Sequence, residues 1–409
     1  MTAELARRAI AHGRLAIDTE FVSERRYQAL LCLAQVAVPD PDAPEGVRTE
    51  VIDPLAEPAP LTRTAAGPAS QAGAPDPASS APDPDPARLA RALADPAVEV
   101  VVHAGRQDVA ILRRSWRTEI TNIFDTQVAA GFLGFGNQEG YESLVRRVLG
   151  VRLEGNEGFT RWDRRPLTPR QLEYAADDAR LLLELGSELE RRLEERGRLA
   201  WAREECQSLE EASDERDPER VYERLPRLGR LNEAARGVAL ELVSWRERIA
   251  RAMDRPAGYV LPDQALIELA RRTPRDHEGL ESIRGLPPHT MHRRGDELLA
   301  AIARGRERPA PPPPPEPPGR EPADAPLVSL AQALVRHRSI ESGVAVELIA
   351  TQSELAVLVS SLRRGRAGDQ VRVGRGWRRE LVGEELRELV GGRRSLSVDS
   401  GGRLQVTSR

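Results

Sequence analysis

The stretch Leu15-Ala16-Ile17-Asp18-Thr19-Glu20-Phe21 constrains this chain more than any other. It opens apolar and β-prone, which suits a buried strand, and then sets two acids two residues apart. On a strand, residues i and i+2 point to the same face. Asp18 and Glu20 therefore stand side by side at a strand's end. Neighbouring carboxylates repel unless a positive charge lies between them, and hard divalent cations take oxygen ligands. The plainer alternative is a strand that runs into a polar loop with both acids solvated. Acids elsewhere in the chain decide between the two.

The pattern around this stretch predicts strands at 15–17, 28–38 and 51–53, an antiparallel opening. Residues 57–86 are crowded with Ala, Pro, Ser, Gly and Asp, cannot build a core, and read as a disordered insertion. Strands then alternate with helices: a helix at 88–93, a strand at 99–103, a helix at 107–114, a strand at 120–124, and helices at 125–133, 141–149 and 171–196. This predicts an α/β domain over 1–205, a mixed sheet flanked by helices. A charged connector follows at 206–228, then an all-helical domain at 229–307. Residues 308–326 form a Pro-rich linker, a stiff spacer that predicts an independently hinged last domain at 327–409. That domain reads as helical first, with short strands at 396–398 and 404–406.

Composition removes several function classes. No apolar run approaches the roughly 20 residues that span a bilayer. The charged segment 1–14 has no signal-type apolar core, so the expected location is the cytoplasm, without membrane partners. Cys32 and Cys206 lie far apart and form no metal or redox motif. All 60 basic residues are arginine. A P-loop helicase is excluded, because no G-x-x-x-x-G-K-[ST] occurs. Arginine still contacts phosphate bidentately, so nucleic-acid binding stays open.

Two further acids complete the opening stretch. Asp108 follows a buried strand and sits in the first turn of a helix. Tyr174 and Asp178 are four apart on a helix and share a face, whereas Asp177 points about 100° away. Four carboxylates from separate segments suit a phosphodiesterase that holds two divalent ions, Mg2+ or Mn2+, about 4 Å apart. One ion would activate a water and the other would stabilise the leaving 3′-oxygen. Tyr174, beside the water, would orient it by hydrogen bond. Asp125 reads as an acid that supports a ligand or caps a helix rather than as a fifth ligand.

Together these residues make the chain resemble the ribonuclease D family of DEDD-type 3′-to-5′ exonucleases. The first motif is Asp18-Thr19-Glu20-Phe21, the second runs from His103-Ala104-Gly105 to Asp108, and the third is Tyr174-Ala175-Ala176-Asp177-Asp178. Phe124-Asp125-Thr126-Gln127, Ser143-Leu144 and the segment from Trp162 to Leu167 also resemble that family. The resemblance implies an RNase H-like fold, metal ligands at Asp18, Glu20, Asp108 and Asp178, and a water-positioning Tyr174. The family's histidine branch carries His five residues before the last acid, where this chain has Glu173; Tyr174 matches the tyrosine branch. Segments Leu242 to Arg246, Val260 to Asp263 and Ile283-Arg284-Gly285 resemble the HRDC domain, a helical nucleic-acid-binding module. Residues 327–390, with Gly376-Trp377-Arg378-Arg379, resemble a weaker second copy. Trp245 reads as core, not as a stacking platform.

The expected activity is metal-dependent trimming of RNA 3′ ends, in tRNA precursors and other small stable RNAs, with release of 5′-mononucleotides. A 3′-to-5′ DNA exonuclease and a catalytically silent RNA-binding scaffold are the alternatives at this stage. The acids do not separate RNA from DNA, and the intact set of four acids plus tyrosine argues against the scaffold. Glu154-Gly155-Asn156-Glu157 stands where the family resemblance leads one to expect a lysine-containing loop.

Overall fold

The computed structural model describes residues 2–43, 45–56, 86–153, 160–312 and 322–408. The expected insertion (all but residue 86), residues 313–321 of the proline spacer and the Glu154–Glu157 loop lie outside the described residues. The chain divides into two compact units. One holds residues 1–21, 31–213 and 327–409; the other holds 22–30 and 214–326.

In the first unit, α1 (Thr2–His12) leads into β1 (Arg14–Val22), followed by β2 (Leu30–Pro39) and β3 (Val47–Ile52). Then come α2 (Ala87–Leu93), β4 (Glu99–Val102), α3 (Arg106–Trp116), β5 (Ile123–Asp125), α4 (Thr126–Phe132), α5 (Tyr141–Val148), α6 (Pro169–Glu195) and α7 (Leu199–Glu210). The sheet order is β3-β2-β1-β4-β5. β2 and β3 pair antiparallel, while β4 runs parallel to both β1 and β5. The sheet is therefore mixed, as the sequence predicts. β4, Glu-Val-Val-Val, is buried at every residue, as a strand covered on both faces must be. α6 starts on a full capping box: Thr168 accepts from the Gln171 amide, Gln171 returns to Thr168, and Pro169 takes the first helical position.

One predicted connector is structured. Residues 204–210 lie on α7, which buries Ala202, Cys206 and Leu209 at helical spacing. The charged residues between them hide that stripe in the sequence. Both cysteines are buried thiols outside any disulfide.

In the second unit, α8 (Pro218–Glu223), α9 (Glu233–Met253), α10 (Ala257–Val260), α11 (Asp263–Arg272), α12 (His277–Glu281) and α13 (Pro288–Glu307) pack around one core. Trp245 is fully buried there. Pro288 opens α13 at a position where its missing N–H costs nothing, and the helix bends at Arg294. Segment 22–30 also belongs to this unit. The Tyr27 hydroxyl donates to Glu247 Oε2 (3.1 Å), the Tyr27 amide to Asp254 Oδ1 (3.1 Å), and Arg26 pairs with Asp254 (2.7 Å).

The chain returns to the first unit with α14 (Ala325–Ser342), α15 (Val346–Ile349), α16 (Gln352–Arg363), α17 (Gly376–Arg378) and α18 (Glu384–Val390). A hairpin of β6 (Arg394–Val398) and β7 (Leu404–Ser408) closes it. The expected hinged domain is not what this region forms. It shares one hydrophobic core with the sheet domain. Trp377 stacks on Trp201 (5.7 Å between centroids) and meets Phe132 edge-on (4.8 Å). The Ala345 amide donates to the Gly131 carbonyl (3.0 Å), and Arg378 pairs with Glu205 (2.7 Å). Gly376, at φ +50°, lies so close to the Glu204 carboxylate that any side chain there would collide with it.

Candidate active site

Three elements deliver the four acids. β1 supplies Asp18 and Glu20, α3 supplies Asp108 in its first turn, and α6 supplies Asp178 with Tyr174 one turn earlier. β1 and β4 are parallel neighbours, with Arg14 to Ala16 opposite Glu99 to Val101. The end of β1 and the start of α3 therefore meet at the same edge of the sheet. Ala104 and Gly105, between β4 and α3, donate to the Asp125 carboxylate (3.1 and 2.9 Å), which also caps α4 through Gln127 (2.8 Å). Asp125 thus fixes the turn that aims Asp108, and it spends its oxygens doing so.

The acids feel one another. Asp18 is held well above the carboxylate range, first by desolvation and then by the charges of Asp108, Asp178 and Glu20. Burial followed by Asp178 and Asp108 pushes Glu20 up to about 8. Asp178 rises to about 7; burial drives it and the Tyr174 hydroxyl opposes it. Asp108 rises to about 6, with burial opposed by the Thr19 hydroxyl, which donates to its Oδ1. Asp177, by contrast, is exposed enough to pair with Arg180 at the surface. The structure thus brings Asp18, Glu20, Asp108, Asp178 and Tyr174 into one electrostatic neighbourhood.

The donor set fits a hard divalent cation: oxygens only, four carboxylates, mutual repulsion for a cation to relieve. Asp178 Oδ1 is buried with no hydrogen-bond partner, an acceptor left for a ligand. Among the described residues, no group of three or more His, Cys, Asp or Glu side chains stands close enough together to hold a metal ion as placed.

Two neighbours escaped the sequence reading. Thr19 lies between the two acids of β1, so alternation alone turns it away from them. Its contact with Asp108 crosses from another element and has no local signature. Tyr141 donates from its hydroxyl to the Asp178 main-chain carbonyl (2.5 Å) and packs at a tilt on His103 (5.4 Å). Its place at the start of α5, just after Gly140, was the only visible hint.

The raised carboxyls carry a pH prediction. A carboxyl whose folded pKa exceeds its unfolded value favours folding while protonated, and that stability is lost as pH rises through the folded pKa. The metal-free protein should therefore melt at a lower temperature at pH 8.5 than at pH 5.5, the fall beginning near the ordinary carboxylate pKa of about 4 and levelling off by about 8. Thermal melts in EDTA across that range check it, and Mg2+ should flatten the slope. A melting point that rises with pH in EDTA would sink it.

Comparison with known proteins bears on the same residues. The family model for 3′-5′ exonuclease matches residues 2–194, and the HRDC domain model matches 235–302. The ribonuclease D of Nitrobacter hamburgensis is 36% identical, over 98% of this chain and 96% of that protein. That of Granulibacter bethesdensis is 35% identical, over 94% and 89%. The chain belongs to the ribonuclease D family. The solved structure of Escherichia coli RNase D, titled an exoribonuclease involved in structured RNA processing, matches with a TM-score of 0.77 at 27% identity and covers 96% of both chains. A ribonuclease D of this kind is a 3′-to-5′ exoribonuclease, and its exonuclease family is divalent-metal dependent. The DNA-exonuclease and silent-scaffold alternatives give way to it. The HRDC domain is a nucleic-acid-binding module, in keeping with RNA as substrate. No helix among the described residues is long and apolar enough to cross a membrane.

Proposed function

We infer that this ribonuclease D removes nucleotides singly from the 3′ ends of tRNA precursors and other small structured RNAs, releasing 5′-mononucleotides in the cytoplasm. The observation that carries the site assignment is that burial, joined for Asp18 and Glu20 by the charges of Asp108 and Asp178, raises four carboxyls from three elements, with one buried Asp178 oxygen unclaimed. Asp18, Glu20, Asp108 and Asp178 would hold two Mg2+ or Mn2+ ions. Bound there, the ions supply charge neutralisation for the phosphate and Lewis-acid activation of the attacking water. Tyr174 holds its proton throughout, because burial and the Asp178 charge raise its pKa further above the usual phenol value. It can therefore only donate or orient, and its task is to aim the water. Thr19 keeps Asp108 from turning away by donating to one of its oxygens.

The test is digestion of a 5′-labelled tRNA precursor and its DNA counterpart, read at single-nucleotide resolution in Mg2+, Mn2+ and EDTA. A metal-dependent ladder that shortens the RNA from its 3′ end is the expected result. A ladder on DNA alone would overturn the substrate assignment. In the same assay Tyr174→Phe should slow cleavage by about 100-fold, the lower end of what a positioned acid–base group contributes, and by less than loss of a carboxylate. Loss equal to that of Asp178→Asn would make Tyr174 a partner in holding metal rather than water.

A further inference from the structure

Tyr141 is not one of the acids, yet it links the helix that carries one of them to the turn that aims another. Its hydroxyl donates to the main-chain carbonyl of Asp178 on α6 (2.5 Å). Its ring packs at a tilt on His103 (5.4 Å between centroids), in the turn between β4 and α3. His103 is itself held. Its Nδ1 lies 2.9 Å from the Thr126 hydroxyl, which donates to the Val102 carbonyl at the end of β4 (3.1 Å). The hydroxyl has one proton and spends it on Val102, so it accepts from His103. Tyr141 thus braces the backbone of Asp178 against the turn that leads to Asp108.

A desolvated phenol needs a hydrogen-bond partner, and any nearby carbonyl would serve. The carbonyl, however, does not need the phenol. Asp178 lies inside α6, where the amide of Leu182 is its helical partner. What the extra bond adds is direction, and it adds it to the residue whose Oδ1 has no partner. Tyr174 already acts on the side chain of Asp178 by hydrogen bond, so the two tyrosines hold that residue at both ends. The Tyr141 hydroxyl also lies in the field of the acids: after desolvation, the charges of Asp178 and Asp18 do most to raise its pKa well above the usual phenol value. Resting on the active-site reading above, we propose that Tyr141 is a positioning residue, which fixes where Asp178 presents its free oxygen to a divalent cation.

Tyr141→Phe tests this, because it keeps the ring on His103 and removes the hydroxyl alone. Residues that orient a metal ligand typically cost about 10- to 100-fold in metal affinity or activity when changed. In EDTA the variant should melt within about 3 °C of the wild type, since the hydroxyl and its bond leave together and the carbonyl keeps its helical partner. The Mg2+ concentration needed for a given rise in melting temperature should increase by at least about tenfold. On a short single-stranded RNA at fixed Mg2+, kcat should fall by a similar factor, KM should stay near the wild-type value, and added Mg2+ should recover most of the loss. If the EDTA melts differ by more than expected, calorimetric titration of Mn2+ into the folded proteins reads the same affinity without unfolding.

Wild-type metal affinity together with wild-type kcat overturns the proposal and leaves the bond as a buried hydroxyl satisfying itself. So does a large fall in the EDTA melting temperature with metal affinity unchanged, which would make the bond a support of the fold. A raised KM with unchanged metal affinity overturns it as well, because Tyr141 would then meet RNA. If the wild type shows neither a metal-dependent rise in melting temperature nor cleavage, the active-site reading fails and the proposal falls with it, an outcome distinct from a defect confined to the variant.

Discussion

Asp18→Asn should cut RNA 3′-end shortening by roughly 10³-fold, the upper end of what loss of one electrostatic stabiliser costs an enzyme, and yet raise the melting temperature of the metal-free protein. The two effects share one cause. Asp18 is desolvated and faces the charges of Asp108, Asp178 and Glu20, so its ionised form is disfavoured in the folded state. Replacing it with the isosteric amide removes a group that folding makes hard to ionise, and at pH 8 the folded protein gains on the order of 1–2 kcal/mol, typical of relieving a strained functional site. Catalysis moves the other way, because the removed oxygen charge is what a divalent ion needs. Melts in EDTA at pH 8, beside the cleavage ladder and an RNA-binding assay, separate the two. A variant that keeps more than a tenth of the activity removes Asp18 from the site. One that melts lower than wild type shows that the carboxylate serves the fold instead. Binding of RNA should change little.

Fold class and the acid cluster were both readable in the sequence for the same reason: each rests on local periodicity. Asp18 and Glu20 share a strand face, Tyr174 and Asp178 share a helix face, and Asp177 falls off it, whatever the rest of the chain does. Asp125 as a cap followed from its place between a strand and a helix. What stayed hidden depends on residues far apart in sequence. Thr19 reaches Asp108 across two elements, and Tyr141 reaches the Asp178 carbonyl from a helix with no marker of its own. Segment 22–30 follows directly on the acid-bearing strand, yet it is packed with Glu247 and Asp254 of the helical unit. No local pattern announces that exchange. The Pro-rich spacer misled for a related reason. Its composition describes the stiffness of a linker, and nothing in it reports where the following helices find a surface to cover.

Trp377→Ala should be the most destabilising single change outside the sheet, at about 3–5 kcal/mol, the usual cost of truncating a buried tryptophan. Its side chain is fully buried between Trp201 and Phe132, and the space it leaves cannot collapse easily. Gly131, next to Phe132 in the chain, sits tight against Leu348, and Gly376, next to Trp377, abuts Glu204. Loss of the ring also loosens Arg378, which lies over it at 4.3 Å and pairs in a buried setting with Glu205. Its effect should extend beyond residues 327–409. Phe132 ends α4, α4 begins on Asp125, and Asp125 holds the amides of Ala104 and Gly105 just before the helix that carries Asp108. A cavity at Trp377 therefore opens onto the frame of the acid site. The expected result is a single melting transition at much lower temperature, with cleavage of a short single strand impaired as well. Trp377→Phe, which keeps an aromatic ring against Phe132, should recover most of both. A hinged, independent C-terminal domain would behave otherwise: it would melt separately, leaving the exonuclease transition and short-strand cleavage as in the wild type, and that outcome would refute the shared core.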